Sequence, residues 1–303
     1  MLTENELNTF LFKDFGFFEV SRDSVRFTKE KNLGKESETI LANAVPYGNP
    51  HENVFKISIV DKNIYFSYLK FNSGSDNGKG IIIKLTEEFL NKYPTYLLVE
   101  NMDELFKIDK DTDELKLTIK KEKVNEVDPD IPNLDGIVFT LLVGGPLFVL
   151  TESEENILTY FKRFQDLFPI QVSNRATVVS YSNSFKENVS MIGMRPTSNT
   201  LSALEKIKSI TNTIWYIEKS KVFAAFTSNL TQRWAKLLNQ DKDDEFKTEL
   251  IEFCRTIDEN KTLETTQQVV EKLGFSLNDA QLFIGLKSLL RGEKKDINEI
   301  NNW

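Results

Sequence analysis

Apolar positions in the middle of the chain recur with a helical period and then with a strand-like one. Leu134, Ile137, Val138, Leu141 and Leu142 fall at i, i+3, i+4, i+7 and i+8, which puts all five on one face of a helix. Asn133 suits its N-cap, Asp135 the positive end of its dipole, and Gly144-Gly145-Pro146 its termination. A buried strand through the same run is the competing reading, and the capping signals speak against it. Leu147-Phe148-Val149-Leu150 then predicts a buried strand. Ser153 offers the next N-cap, and Ile157, Leu158, Phe161, Phe164 and Phe168 form the stripe of a second helix. Lys162 and Arg163 sit towards its negative end, and Pro169 lies just past it. Ala176 to Tyr181 is rich in β-branched residues and predicts a strand. A strand–helix–strand unit of this size crosses over right-handed and pairs in parallel.

Around this block the same rules place the other elements. Thr3-Glu4-Asn5-Glu6 is a capping box that predicts a short helix carrying Leu7, Phe10 and Leu11. Phe15 to Thr28 reads as strand, punctuated by Gly16 and the turn Ser21-Arg22-Asp23, with a polar loop over 29–38 and a turn or loop over 46–50. Val54 to Val60 and Ile64 to Phe71 predict a hairpin across Asp61-Lys62-Asn63. A polar loop over 72–80 leads into a strand at Ile81-Ile82-Ile83. Thr86 caps a short helix, residues 101–106 make a helical turn or two, and Glu114 to Lys120 alternates as an edge strand.

Val124 to Pro132 reads as a linker. Residues 183–197 are irregular, Thr200 caps a helix carrying Leu201, Leu204, Ile207 and Ile210, and Ile214 to Ile217 reads as strand. Beyond Lys221 the pattern is helical, through Leu230–Leu238, Phe246–Ile257, Leu263–Leu273 and Leu277–Leu290, with Gly274 and Gly292 as stops. The fold class expected is α+β. It has a mixed-sheet amino-terminal domain over 1–128, an α/β central strand–helix–strand block over 129–220 and a mostly helical domain over 221–303.

Composition narrows the setting. The chain has 303 residues, enough for two or three domains, and 40% apolar content with 23 Phe supports a substantial core. A net charge of −8 argues against broad binding to nucleic acid or anionic lipid, although a local basic patch stays open. No apolar run approaches the ~20 residues of a membrane helix, and the acidic start lacks the basic region of a signal peptide. The single cysteine excludes an internal disulfide and fits a reducing compartment. The expected location is cytoplasmic, away from membranes.

Several stretches imitate reactive sites. Gly74 to Lys79 resembles a phosphate loop, but a true one has another residue between its glycines, Ser or Thr after Lys, and then a helix. Asp109, Asp111 and Asp113 start like a calcium loop, but Glu114 stands where the turn glycine belongs and Lys120 where the bidentate acid belongs. His51 is the only histidine, so any Ser–His–Asp or Cys–His mechanism must use it, and no Gly-x-Ser-x-Gly elbow is present. Cys254 shares an apolar face with Leu250 and Ile257 and reads as a core thiol. No catalytic, cofactor-binding or metal-ligating residue is assigned on these patterns.

Residues 267–277 have the form of a helix-turn-helix step, with Gly274 ending one helix and Ser276 capping the next. A DNA reader would place the second helix in the major groove. Its contacts would be Asn278 and Gln281 to adenine edges, and Lys287, Arg291, Lys294 and Lys295 to phosphates. Asp279 between the readers would repel phosphate. An ordinary helical bundle accounts for the same pattern.

Two stretches carry a family resemblance. Ser75-Asp76-Asn77-Gly78-Lys79-Gly80-Ile81-Ile82 is similar to an Asp-x-x-Gly-Arg turn entering a strand. Residues 141–149, Phe168-Pro169 and Arg175 to Tyr181 are similar to an apolar helix, a glycine, a strand, a helix ending near Leu-Pro, then Arg and a strand. This order resembles the amino-terminal regions of prokaryotic GTPase-associated proteins and, more distantly, DENN-like modules, over about half the chain. It departs from them in Lys79 for Arg, in Phe168 for Leu, and in lacking a histidine on the strand after the turn. The resemblance implies a regulatory or adaptor role beside a GTPase or other nucleotide-switch protein.

The expected function is therefore a non-enzymatic interaction or regulatory protein without cofactors. The alternatives are a DNA-binding protein acting through 263–295, and a metal-dependent nuclease or hydrolase whose carboxylates do not stand out from the acidic background.

Overall fold

The computed structural model describes residues 8–22, 24–46, 53–72, 75, 77–105, 112–119, 131–185, 187, 189–207, 213–224 and 226–293. Strands β1 (Asn8–Phe12), β2 (Phe15–Ser21) and β3 (Ser24–Lys31) precede helix α1 (Ser37–Ala44). A meander of β4 (Val54–Val60), β5 (Asn63–Phe71) and β6 (Gly78–Lys84) leads to three short helices, α2 (Glu87–Lys92), α3 (Tyr96–Glu100) and α4 (Met102–Leu105), and then to β7 (Leu115–Ile119). The middle runs α5 (Leu134–Leu142), β8 (Leu147–Leu150), α6 (Glu154–Leu167), α7 (Ile170–Ser173), β9 (Val178–Val179), β10 (Met191–Met194), α8 (Ser198–Ile207), β11 (Thr213–Tyr216) and β12 (Lys221–Phe223). Four helices follow: α9 (Asn229–Leu238), α10 (Asp243–Glu259), α11 (Thr266–Leu273) and α12 (Leu277–Leu290).

The architecture is α+β. Ten strands share one sheet in the order β12-β11-β8-β10-β9-β4-β5-β6-β2-β3, and β1 pairs with β7 in a separate ribbon. β11, β8, β10 and β9 are parallel, whereas β4 to β6, β2 and β3 form an antiparallel sheet. The two halves join where β4 lies antiparallel to β9, through only two residue pairs, Lys56↔Val179 and Ile57↔Val178. Two hydrogen bonds extend this short seam. The Ser180 N–H donates to the Phe55 carbonyl at 3.0 Å, and the Phe55 N–H donates to the Ser180 hydroxyl at 3.1 Å.

The largest core cluster covers one face of the sheet and takes in the apolar stripes of α5, α6 and the last four helices. On the other face lie two smaller clusters, one under α1 (Ile40, Leu41, Ala44) and one under α8 (Leu204). The boundaries expected after 128 and 220 are crossed by the sheet, which pairs β4 with β9 and β11 with β12, and by the main core cluster.

Local chemistry explains most of the elements. The Thr86 hydroxyl accepts the Phe89 N–H at 3.2 Å and starts α2, as expected for a cap. Gly144 and Gly145 end the region after α5 with φ +94 and +78. A Cβ at Gly145 would lie 2.2 Å from the Ser190 carbonyl, because the Leu147 N–H must reach that same carbonyl, at 2.8 Å.

The structure departs from expectation in several places. Phe10 and Leu11 lie in β1 and not in a helix, since pairing with β7 buries Phe12 beside Leu115 and Leu117; Thr3 to Glu6 and Leu7 lie outside the described residues. The expected loop over 29–38 contains the end of β3 and the start of α1, whose Ile40 and Leu41 cover the second cluster. Asn133 precedes α5 with φ 51 and makes no cap bond; its amide donates to the Val222 carbonyl at 3.2 Å instead. Ser153 stands at the N-cap of α6 without a side-chain cap bond. The cap of α8 is the Thr197 hydroxyl, which accepts the Thr200 N–H at 3.2 Å, and not Thr200 itself. Residues 183–197 are not wholly irregular, because β10 inserts between β8 and β9. Those two strands are parallel, as expected, but not neighbours. The short strand β12 follows β11 before the helices begin.

Candidate functional site

α12 is buried on every side, with every residue from Asp279 to Leu289 buried. It packs against α5, α7, α9, α10 and α11. The helix-turn-helix step is formed as its sequence suggests: Gly274 ends α11 with φ 69, and the Ser276 hydroxyl accepts the Asp279 N–H at 3.3 Å. Its polar groups, however, turn inward. Asn278 donates to the Thr227 carbonyl at 2.7 Å, and Asp279 accepts the Leu230 N–H at 3.1 Å. Gln281 is buried. The Lys287 ammonium is 3% exposed and donates to the Leu263 carbonyl at 2.5 Å and to Glu264 at 3.2 Å. Arg291 donates to the Lys261 carbonyl at 3.0 Å. Of the six residues named as nucleic-acid contacts, Asn278, Lys287 and Arg291 bond to neighbouring segments of the bundle, Gln281 is buried, and Lys294 and Lys295 lie outside the described residues.

The other imitations resolve similarly. Asn72, Ser75 and Asn77 form the turn between β5 and β6, with the Asn72 N–H on the Asn77 carbonyl at 3.0 Å, and Lys79 lies on β6. Gly74, Asp76, His51, Asp109, Asp111 and Lys120 are outside the described residues. Asp113 pairs with Lys31 at 2.6 Å, and that lysine holds its carboxyl below the usual range. Burial, with a smaller push from Asp258, raises the Cys254 thiol to about 12. Among the described residues no three His, Cys, Asp or Glu side chains gather in a metal-binding group, and no helix is long and apolar enough to cross a membrane.

The parallel strands create a polar end that the pattern of apolar residues did not announce. The chain leaves β8 for α6 on the face of the main core cluster, and leaves the adjacent β10 for α8 on the opposite face. Such a divergence opens a crevice beyond the strand ends, where α/β sheets hold their ligands. Here the strand ends are rich in internal bonds. Glu218 accepts from the Thr151 hydroxyl at 2.7 Å and the Glu152 N–H at 2.8 Å. Arg195 lies 3.7 Å from Glu152 and 5.3 Å from the Tyr181 ring centre. Burial and Glu218 raise the Tyr160 hydroxyl.

At the amino-terminal end, a groove of about 580 Å3 is lined by Leu11, Lys13, Lys31, Asn32, Thr112, Asp113, Glu114 and Lys116. It opens between the β1–β7 ribbon and β3, the outer strand of the sheet. Leu11 is 50% exposed. Lys29 helps shape the groove by donating to the Thr112 carbonyl at 2.7 Å. β3 carries a bulge opposite Phe17/Phe18 and presents Lys29 and Lys31, features that guard an outer strand against unwanted pairing.

A third cluster is buried. Lys56 on β4 pairs with Glu187 at 2.7 Å, with side chains 3% and 0% exposed, and Ser182 donates to the second Glu187 oxygen at 2.9 Å. Nothing in the local sequence marks this pair. A lysine between Phe55 and Ile57 reads as a solvent-facing strand position, and its partner lies 131 residues away.

No family model matches the chain, and no curated protein matches it.

Proposed function

We propose that this chain is a non-enzymatic interaction or regulatory protein that works in the cytoplasm through protein–protein contacts, beside a GTPase or related nucleotide-switch partner. The observation that supports this reading is the groove at Leu11. A half-exposed leucine ringed by lysines and carboxylates has the composition of a contact patch, with an apolar anchor inside a polar rim. Three lysines line it against two carboxylates, on a chain whose net charge is −8, so it favours a partner surface that presents acidic side chains. The partner class comes from the resemblance of the turn at 75–82 and the block at 141–181.

Site-specific cross-linking tests the proposal. A photoreactive residue replaces Leu11, with a second variant carrying it at Leu277, which is 55% exposed in another part of the molecule. The expected result is a nucleotide-dependent cross-link to a GTP-binding protein from position 11 alone, lost in Lys13→Glu/Lys116→Glu. Identical cross-links from both positions would remove the groove from the argument. A catalytic turnover abolished by changing one buried acid would remove the non-enzymatic reading.

A further inference from the structure

The antiparallel and parallel halves of the sheet meet along a short seam, two residue pairs extended by the Phe55–Ser180 hydrogen bonds. β9 contributes two residues, Val178 and Val179, and both are β-branched and apolar. Hydrophobic patterning forbids a slip by one residue, because that would turn each side chain to the opposite face. It does not forbid a slip by two, which restores the faces and moves the strand by about 6.6 Å. On the face that bears Val54 and Val60, β4 places Lys56 between them, at the gap between the two small core clusters. Glu187 reaches Lys56 there from the segment that joins β9 to β10, and Ser182 steadies the carboxylate. The same segment is tied to the start of β9, since Ser190 donates its N–H to the Thr177 hydroxyl at 2.8 Å.

We propose that the Lys56–Glu187 pair is the register lock of this seam, and through it fixes how the parallel half of the sheet sits against the antiparallel half. Any two-residue slip parts the charges while leaving both in the interior. A buried charge without its partner is far more costly than a misplaced valine. The pair therefore contributes selectivity between registers more than net stability, because two apolar groups of similar volume can fill the same space. Gly193 raises the stakes. A Cβ there would lie 1.8 Å from the Ser180 carbonyl, so β10 fits beside β9 in one alignment only.

The test compares Lys56→Met, Glu187→Gln, Lys56→Met/Glu187→Leu and the reversed pair Lys56→Glu/Glu187→Lys in the full chain, with methyl-labelled Ile and Val. The single variants should lose most of their soluble folded protein. The apolar pair should fold with a melting temperature close to that of the parent, yet show a second set of Val178 and Val179 methyl signals and a weakened Ile57–Val178 cross-peak. The reversed pair should fold with one set. If the apolar pair does not fold while the reversed pair does, the charges are needed for stability itself, and the claim that the pair acts on register is overturned. A folded apolar pair with a single set of signals and an undiminished Ile57–Val178 cross-peak overturns it. So do single variants as stable as the parent, or failure of both double variants, which would mean that the site tolerates no change of any kind.

Discussion

Asn174 and Thr95 are joined where α7 meets the turn between α2 and α3: the Thr95 N–H donates to the Asn174 side-chain oxygen at 3.1 Å. The amide of Asn174 donates in turn to the carbonyls of Leu90 at 2.6 Å and Tyr93 at 2.9 Å, so one side chain serves three backbone groups at the turn between α2 and α3. Gln165 completes the network from α6, accepting the Tyr96 N–H at 2.8 Å and donating to the Thr95 hydroxyl at 2.6 Å. These groups are buried, so a missing partner is not replaced by water. Asn174→Ala is expected to cost about 1–3 kcal/mol, the range for leaving a buried polar group unpaired. Urea unfolding measures it, and a loss below about 1 kcal/mol would show that the turn finds other partners.

Gly193→Ala should be among the most damaging single-methyl changes in the chain. The added carbon would meet the Ser180 carbonyl at 1.8 Å, and backbone cannot move aside as a side-chain tip can. The expected loss exceeds about 4 kcal/mol or removes soluble protein altogether. A near-parental melting curve for the purified variant would contradict the packing of β10 against β9.

Lys287 and Arg291 separate two explanations of the basic residues at the end of α12. Lys287 is buried against the Leu263 carbonyl and Glu264, whereas the Arg291 side chain is 39% exposed. Lys287→Ala should destabilise by about 2–3 kcal/mol, through an orphaned carbonyl and a lost charged hydrogen bond. Arg291→Ala should change stability by no more than about 1 kcal/mol. Equal, small effects in thermal unfolding would mean that Lys287 is available to solvent and hence to phosphate.

Alkaline titration reads the buried thiol. The Cys254 thiol is raised from 9.0 to about 12, so between those values the unfolded chain has lost a proton that the folded chain keeps. Stability therefore falls as pH rises from 9 towards 12, and is fully present below 9. Burial also raises the hydroxyls of Tyr65, Tyr96 and Tyr160, which act in the same direction at higher pH. In Cys254→Ala the decline above pH 9 should be shallower, by at most about 1.4 kcal/mol per unit. In the parent, a thiol reagent at pH 8 should label Cys254 only after denaturant is added. Rapid labelling of the folded protein would refute both statements.

The legible parts of the fold were those written locally. Thr86, Gly274 and Ser276 announce their helix ends because capping is settled within three residues. The 3.6-residue period of α6 and α10 survives in the sequence because each buries one stripe. β10 was hidden, since Met191-Ile192-Gly193-Met194 is four residues long and sits among polar neighbours that carry no strand signal. β1 reads as helix in the sequence because a capping box outweighs an alternation of only five residues, whose meaning depends on a partner strand more than a hundred residues away. Of the sites, the helix-turn-helix step was visible, but the inward direction of Asn278 and Lys287 was not, because spacing cannot say what surrounds a helix that is buried on every side. Lys56 and Glu187 were invisible because a lysine between Phe55 and Ile57 reads as a solvent-facing strand position and its partner lies 131 residues away.

The order of the sheet has a consequence for synthesis. β4 emerges early, yet its second neighbour is β9, more than a hundred residues later in the chain. A nascent chain leaving the ribosome thus carries the meander with one open edge, Val54 to Val60, until residue 179 is free of the exit tunnel. A protein built this way should depend on a holding chaperone during translation, and its prematurely terminated products should be prone to clump.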